Sequence, residues 1–107
     1  MTAWLWLLIA GVAEVAFSQS IRPTEGFTRL LPTLLCLVLA AAAIYPLTRA
    51  MEDISVGTAY VVFTGIGAVG AVALGILVHD DPVDAPRLAG LALVLSGVLV
   101  LQRVGEG

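Results

Sequence analysis

The chain has 107 residues, of which 60% are hydrophobic and only 12% are charged, and its formal net charge is −3. This composition is too apolar for a soluble globular domain and indicates an integral membrane protein. The sequence has no basic run that would neutralise a phosphate backbone, so nucleic acid is not expected as a partner.

Four apolar segments follow one another along the chain, separated by short polar breaks. They cover residues 3–21, 30–49, 56–78 and 86–103. At about 1.5 Å of rise per residue each reaches across a hydrocarbon core about 30 Å thick, the first and last only just. Backbone polar groups cannot stay unpaired in lipid, and the alternating pattern of barrel strands is absent, so the segments are predicted to be helices. The predicted fold is an all-α integral membrane protein with one four-helix transmembrane domain over residues 1–107.

The first segment carries a single carboxylate, Glu14, in an apolar run from Trp4 to Ile21. A charged side chain at bilayer depth costs about 2.5–3.5 kcal/mol on insertion scales, so it persists where the protein uses or shields it. No lysine or arginine shares this segment, and desolvation without a cationic neighbour favours the protonated acid. A carboxyl group that exchanges its proton readily can hold either a proton or a cation, which couples export to a proton gradient. The alternative is a protonated acid that only tightens helix packing.

Helical spacing places mostly small and apolar residues on the face of Glu14. These residues are Leu7, Ala10, Gly11, Phe17, Ser18 and Ile21. This face is largely apolar, and the small residues one turn above Glu14 leave room for a ligand or for another helix.

The third segment combines two aromatic residues with closely spaced glycines. Tyr60 and Phe63 stand three residues apart on one side of the predicted helix, and aromatic ring faces attract cations. The Tyr60 hydroxyl needs a buried partner, for which Glu14 is the obvious acceptor, although plain packing of both rings is the alternative. Gly65 and Gly67 predict a helix that bends there or is approached closely by a neighbour.

The polar break after the third segment contains His79, Asp80 and Asp81. These residue types ligate metals, but a loop with Pro82 and Pro86 offers no fixed geometry, so a solvated turn is expected instead. The sequence predicts no metal site, no cofactor and no enzymatic centre.

The fourth segment has two glycines, Gly90 and Gly97, seven residues apart and therefore on one face. Small residues let membrane helices approach closely, so this face is predicted to pack on another helix, either within the chain or in a second copy. Four short helices are too few to enclose a polar pathway and shield it from lipid, which favours an oligomer.

The arginines at the segment ends are almost evenly divided between the two sides of the membrane. Arg22, Arg29 and Arg87 fall on one side, and Arg49 and Arg103 share the other side with both termini. Because an excess of positive charge sets the orientation of membrane proteins, this balance predicts insertion in both orientations.

Together these motifs resemble the small multidrug resistance family of bacterial four-helix transporters. The features that carry the resemblance are Ala13-Glu14-Val15, the stretch 25–30 followed by Pro32, the stretch 57–60, and Gly90 with Gly97. The run 56–71 is most similar to the guanidinium-exporter branch of that family.

The resemblance implies an antiparallel dimer in the bacterial inner membrane, in which Glu14 of both subunits lines one site for protons and a cationic substrate. It also implies that Tyr60 lies beside this site. Two glycine pairs take structural roles, namely the bend of the third helix at Gly65 and Gly67 and the dimer contact at Gly90 and Gly97. Alternating access would then be an exchange of conformations between the two subunits.

Three positions differ from the family pattern. Phe63 and Phe17 stand where tryptophans are expected, and Ala43 replaces a serine of the second helix near the site. Each difference removes a hydrogen-bond donor that would orient the glutamates or a small, donor-rich ion such as guanidinium. The site is therefore expected to be more apolar and to favour quaternary ammonium ions, other hydrophobic cations or substituted guanidines.

The resemblance thus predicts a proton-coupled antiporter that exports small organic cations as an antiparallel homodimer. A phenylalanine at position 63 is also similar to members of paired systems, so a heterodimer with a homologue, inactive as one chain alone, is the second hypothesis. A channel or a purely structural membrane protein is the third, and it predicts that Glu14→Gln leaves any activity intact.

Overall fold

Four helices make up nearly all of the computed structural model, which describes residues 2–106. They are α1 (Ala3–Ile21), α2 (Leu30–Ala50), α3 (Val56–Val78) and α4 (Ala85–Glu106). All four are long and apolar enough to cross a membrane, so the predicted all-α, four-helix fold is confirmed. The last helix continues three residues beyond the apolar segment that predicted it.

Polar side chains mark where three of the helices begin. Thr2 accepts a hydrogen bond from the backbone N–H of Leu5, and Ser55 accepts one from the N–H of Thr58. Asp84 Oδ1 accepts a hydrogen bond of 2.9 Å from the N–H of Arg87. Because the first backbone donors of a helix have no partner within it, such side chains stabilise the start, typically by about 1 kcal/mol.

The connection between α1 and α2 is tighter than a plain polar break. A single 3-10 turn at Arg22–Thr24 extends α1. The chain then passes through the left-handed region at Glu25, Gly26 and Phe27, with φ of 48°, 74° and 65°. This sharp reversal returns the backbone at once to the start of α2.

The buried core lies towards the end of the bundle that carries the termini. α1 packs along α2 and α3, and α4 packs chiefly on α3. The core is formed by the first half of α1, the last part of α2 with the residues after it, and the first half of α3. Its members are Leu7, Ala10, Ala43, Leu47, Ala50, Ile54, Ala59, Val62 and Phe63.

An aromatic and ionic cluster closes the same end of the bundle. The rings of Trp6 and Tyr45 meet edge to face with centroids 6.1 Å apart. The Arg49 guanidinium lies 5.3 Å from the Trp6 ring centroid and forms an ion pair of 3.2 Å with Glu52. These contacts join the start of α1 to the end of α2 at the membrane boundary.

The outer surface of the chain is strongly apolar, and α4 is its most exposed element. None of the membrane-spanning stretch of α4 is buried within the chain. Leu93 is 74% exposed and Leu99 is 59% exposed. Such a surface requires lipid or another helix as its neighbour.

Candidate functional site

Glu14 lies in the second half of α1 with its side chain directly over Gly67 of α3. A Cβ atom built on Gly67 would lie 2.5 Å from Glu14 Cγ and 3.7 Å from Glu14 Cδ. Any residue larger than glycine would therefore collide with the carboxylate-bearing side chain. The glycine allows the acid to rest on the backbone of α3, at a point where both helices are inside the apolar layer.

The seam between α1 and α3 is tight on both sides of this contact. A Cβ on Gly11 would meet Ile66 Cγ2 at 2.5 Å, and a Cβ on Gly70 would collide with the side chain of Val15. The α1 residues are thus held in a fixed register against α3, with Glu14 level with Gly67. Small residues at successive turns permit this close approach of two membrane helices.

Gly65 serves a different neighbour, although it lies only two residues from Gly67. A Cβ at this position would meet Val98 Cγ2 of α4 at 2.6 Å. α3 is helical without interruption from Val56 to Val78. Close approach by neighbours therefore accounts for both glycines here, and the bend implied by the family resemblance stays a prediction.

The Glu14 carboxyl is half-buried and has no cationic neighbour within residues 2–106. The ion pairs in that part of the chain join Arg29 to Glu25, Arg49 to Glu52 and Arg87 to Asp81, at 3.7, 3.2 and 4.0 Å. These pairs lie at helix ends and in the connections. Glu14 is thus left as an acid without a fixed counter-ion in the middle of a membrane span, as its sequence surroundings predict.

Within one chain, several of the residues predicted to line the site are part of the core, and their role in a shared site stays a prediction. Leu7 and Ala10 are completely buried, and Ala43 and Phe63 are 1% and 3% exposed. They fill the space at the terminal end of the seam, on the side of Gly11 away from Glu14. Within one chain they set the shape of the bundle, and they line no open space around the carboxyl group.

Phe17 and Ser18 stay close to Glu14 and are half-buried. The Ser18 hydroxyl donates to the backbone carbonyl of Val15 at 2.6 Å. Ser18 lies one turn above Glu14, so its oxygen is available as an acceptor on the same face of α1.

Tyr60 does not reach Glu14 within one chain. Since Gly67 is level with Glu14, Tyr60 lies seven residues away along α3, or about 10 Å along the axis. Its side chain is 54% exposed, and its ring contacts Phe63 at a centroid distance of 6.1 Å. The expected hydrogen bond from the Tyr60 hydroxyl to Glu14 is therefore not formed among the described residues.

The two glycines of α4 face away from the rest of the chain. A Cβ built on Gly90 or Gly97 would meet no atom within 4 Å. Gly97 borders a shallow apolar groove of about 360 Å³ between α3 and α4, which Thr64, Gly65 and Val94 also line. This face is open to close approach by a helix from outside the chain.

The sequence reasoning missed a polar cavity of about 300 Å³ at the membrane boundary. It lies between the ends of α1 and α3 and is lined by Ser18, Gln19, Arg22, Pro23, Ala71, Gly75, His79 and Asp81. Residues 79–81 are exposed, as expected for a solvated turn, and His79 in addition bonds to Gln19 at 3.1 Å. The Asp81 side chain also folds back against Gly75. The four-residue spacing of Glu14, Ser18 and Arg22 was the available signal.

Glu14 lines neither this cavity nor the apolar cavity of about 410 Å³ near Trp4 and Gln102. It also lies outside the groove between α3 and α4. The carboxyl group is thus held in place by α3 and lines none of these three cavities. A complete ligand site at Glu14 requires a further surface.

Comparison with known proteins gives one consistent result. A sequence profile of the family described as "Small Multidrug Resistance protein" matches residues 2–94. A protein named "Guanidinium exporter" from Yersinia pseudotuberculosis is 41% identical over 100 residues, which cover 94% of this chain and 96% of that protein. Proteins of the same name from Citrobacter freundii and from Salmonella typhimurium strain LT2 are 42% and 39% identical, each alignment covering 94% of this chain and 95% of the relative.

Proposed function

The chain belongs to the Small Multidrug Resistance family, and on that premise we propose that it exports small organic cations in exchange for protons, with Glu14 as the shared binding group. It is a multi-pass protein of the bacterial inner membrane with four membrane-spanning helices. The observation that carries the proposal is the position of Glu14, which rests on Gly67 at membrane depth without a cationic partner among the described residues.

The chemistry of exchange follows from this position. A carboxylate that is not neutralised by an arginine must take up a proton or a cation when the site is closed to water, because an isolated charge in an apolar layer is costly. A proton and an organic cation each supply one positive charge, so one displaces the other. Export of the cation is thereby coupled to entry of protons.

A second copy of the chain supplies the missing wall of the site. Glu14 lines none of the three cavities described above, Tyr60 is half exposed, and the Gly90 and Gly97 face of α4 is open. A partner that packs on α4 would cover this face and bring a second Glu14 towards the first. The near balance of arginines supports an antiparallel homodimer, since neither orientation is favoured.

The substrate is a small organic cation, and we assign the transporter's selectivity among such cations mainly to Phe17. Proteins named guanidinium exporters are 39–42% identical to this chain. Ala43 and Phe63 lie in the core, whereas Phe17 is half-buried one turn from Glu14. A phenyl ring offers an apolar, cation-attracting surface but no hydrogen-bond donor. We therefore expect guanidinium, substituted guanidines and small quaternary ammonium ions to be carried, with the alkylated ions favoured.

Purified protein in liposomes tests the proposal directly. An imposed proton gradient should drive uptake of guanidinium, an alkylated guanidinium and tetramethylammonium, and Glu14→Gln should abolish all three. The matched control is Glu52→Gln, which removes an exposed carboxylate at the boundary and should leave transport unchanged.

The same assay separates the competing hypotheses. Transport by the single purified chain supports the homodimer, whereas transport only after addition of a homologous chain would establish the heterodimer. Uptake that persists in Glu14→Gln would contradict exchange at this carboxyl group and favour a channel.

A further inference from the structure

The polar cavity at the membrane boundary continues the seam on which Glu14 lies. We call it the boundary vestibule, and four-residue steps lead into it from the contact between Glu14 and Gly67. Ser18 and Arg22 follow Glu14 along α1 and the turn after it, and Ala71, Gly75 and His79 follow Gly67 along α3 and its C-terminal cap. Residues four apart lie on one face of a helix. The vestibule thus begins one turn, or about 6 Å, from Glu14 and ends where the helices end.

The opposite end of the seam is packed mainly with apolar side chains. Beyond Gly11, whose face is covered by Ile66, lies the packed core with Leu7, Ala10 and Phe63 at 0–3% exposure. The cavity of about 410 Å³ at that end is lined by Leu7, Val62 and Ile66 where it nears the seam. Among the described residues the vestibule is therefore the more polar approach to Glu14 along the seam. A polar cavity of about 300 Å³ has room for several water molecules, each of which occupies about 30 Å³ in the liquid.

A line of hydrogen bonds runs through the vestibule from its mouth. His79 Nε2 lies 3.1 Å from Gln19 Oε1, and Gln19 Nε2 donates to Ser18 Oγ at 3.2 Å. Because the Gln19 oxygen is an acceptor only, His79 Nε2 carries the hydrogen in this bond. The other ring nitrogen, Nδ1, is then free to accept a proton, and the imidazolium that forms keeps its bond to Gln19.

Charged groups of both signs line the vestibule together with His79. They are Arg22, which follows α1, and Asp81, in the connection to α4. Asp81 is in turn 4.0 Å from Arg87 at the start of α4, and Asp80 is the adjacent exposed residue. One cation and one partly neutralised anion therefore line the mouth.

We propose that the boundary vestibule is the path by which Glu14 exchanges protons with water on that side of the membrane, and that His79 carries the proton at its mouth. A proton released from the Glu14 carboxyl passes to vestibule water and then to His79 Nδ1, and the imidazolium returns it to bulk water. Uptake follows the reverse order. His79 does not touch the substrate and acts only on the supply of protons. In an antiparallel dimer the two vestibules open on opposite sides, one for each half of the cycle.

This inference rests on the proposed function, and it is tested with His79→Gln in the full chain reconstituted in liposomes. Glutamine keeps a hydrogen-bonding side chain but cannot carry a proton. Cation transport is measured under a clamped pH gradient at low and at high concentrations of phosphate, an anionic proton carrier that a cation site does not accept. The matched control is Asp80→Asn, which alters the neighbouring titratable residue outside the vestibule and suits its left-handed backbone.

In weak buffer we expect His79→Gln to transport about tenfold more slowly, less than the 10²–10⁴-fold typical of a positioned acid or base because vestibule water still carries protons. Concentrated phosphate should restore the rate of the unmodified chain. The substrate Kd and the number of protons released per bound cation should not change. Asp80→Asn should match the unmodified chain at both concentrations.

Two results would overturn the vestibule as a proton path. One is an unchanged rate for His79→Gln in weak buffer, and the other is a loss that phosphate does not restore, which would indicate a structural role. The proposed function fails separately, in the arms without a His79 change: either the unmodified chain shows no proton-driven transport, or Glu14→Gln transports normally.

Discussion

Gly67→Ala is the sharpest test of the contact that holds Glu14. The added methyl group would lie 2.5 Å from Glu14 Cγ and 3.4 Å from Glu14 Cβ. Ordinary contact begins at about 3.4 Å, so one of the two groups has to move by about 1 Å. Gly11 and Gly70 hold α1 in register on either side, which leaves rotation of the Glu14 side chain as the main adjustment. Insertion of a methyl group into such a packed seam costs about 1–3 kcal/mol.

If most of this cost falls on the bound state, the substrate affinity decreases by about 5- to 140-fold, since 1.4 kcal/mol corresponds to a factor of ten. Helix stability changes in the opposite direction, because alanine is favoured over glycine by about 1 kcal/mol in a helix interior. The variant should therefore remain folded and bind poorly. Substrate Kd from titration of the detergent-solubilised protein gives the first quantity, and thermal unfolding gives the second.

Gly57→Ala is the matched control, because a Cβ at that position meets no atom within 4 Å. It should share the gain in helix propensity and keep the affinity of the unmodified chain. In the Glu14→Gln background, Gly67→Ala should have little further effect, as expected when two changes act on one contact. An unchanged Kd for Gly67→Ala, or an equal loss for Gly57→Ala, would refute the placement of Glu14 on Gly67.

Three further outcomes are expected. As the pH falls through the range where Glu14 takes up its proton, the apparent substrate Kd should rise about tenfold per pH unit, because one proton replaces one cation. Titration calorimetry across a pH series measures this Kd, and a Kd independent of pH would contradict competition. Gly97→Leu should lower the yield of cross-linked dimer because the leucine fills the open face of α4, whereas Gly57→Leu should not. Equal dimer yields for the two variants would argue against that face as the dimer contact. If the partner subunit brings the Tyr60 hydroxyl to Glu14, Tyr60→Phe should weaken substrate binding about fivefold, because one hydrogen bond worth about 1 kcal/mol is lost. An unchanged Kd would place Tyr60 outside the site.

Much of the fold follows from local features of the sequence. Apolar runs of 18–23 residues have only one stable form in lipid, so four helices are predicted without knowledge of their packing. Thr2, Ser55 and Asp84 then set where three helices begin, since each side chain accepts from an unpaired backbone N–H. The single acid in the first span likewise identifies Glu14 without any structure.

The packing of each side chain depends on register between helices, which spacing within one helix does not contain. Gly65 and Gly67 look alike in the sequence, but one faces α4 and the other faces Glu14. The height of Tyr60 relative to Glu14 is set by the Gly11 and Gly70 contacts, and these place it about 10 Å away. For the same reason the pairing of His79 with Gln19, sixty residues apart, is visible only after the chain is folded.

The uneven distribution of the core along the bundle has a mechanical consequence. We expect the end where Leu7, Ala43 and Phe63 pack beside the Trp6 and Tyr45 rings to be the stiffer one, and the end around the vestibule between α1 and α3 to be the more compliant one. When two copies lie head to tail, the stiff end of one stands beside the compliant end of the other. On each side of the membrane, the dimer then presents the compliant end of one subunit and the stiff end of the other. We expect amide hydrogen exchange to be slow near Leu7 and fast near Ser18, so the pair can open towards either side while both cores stay intact.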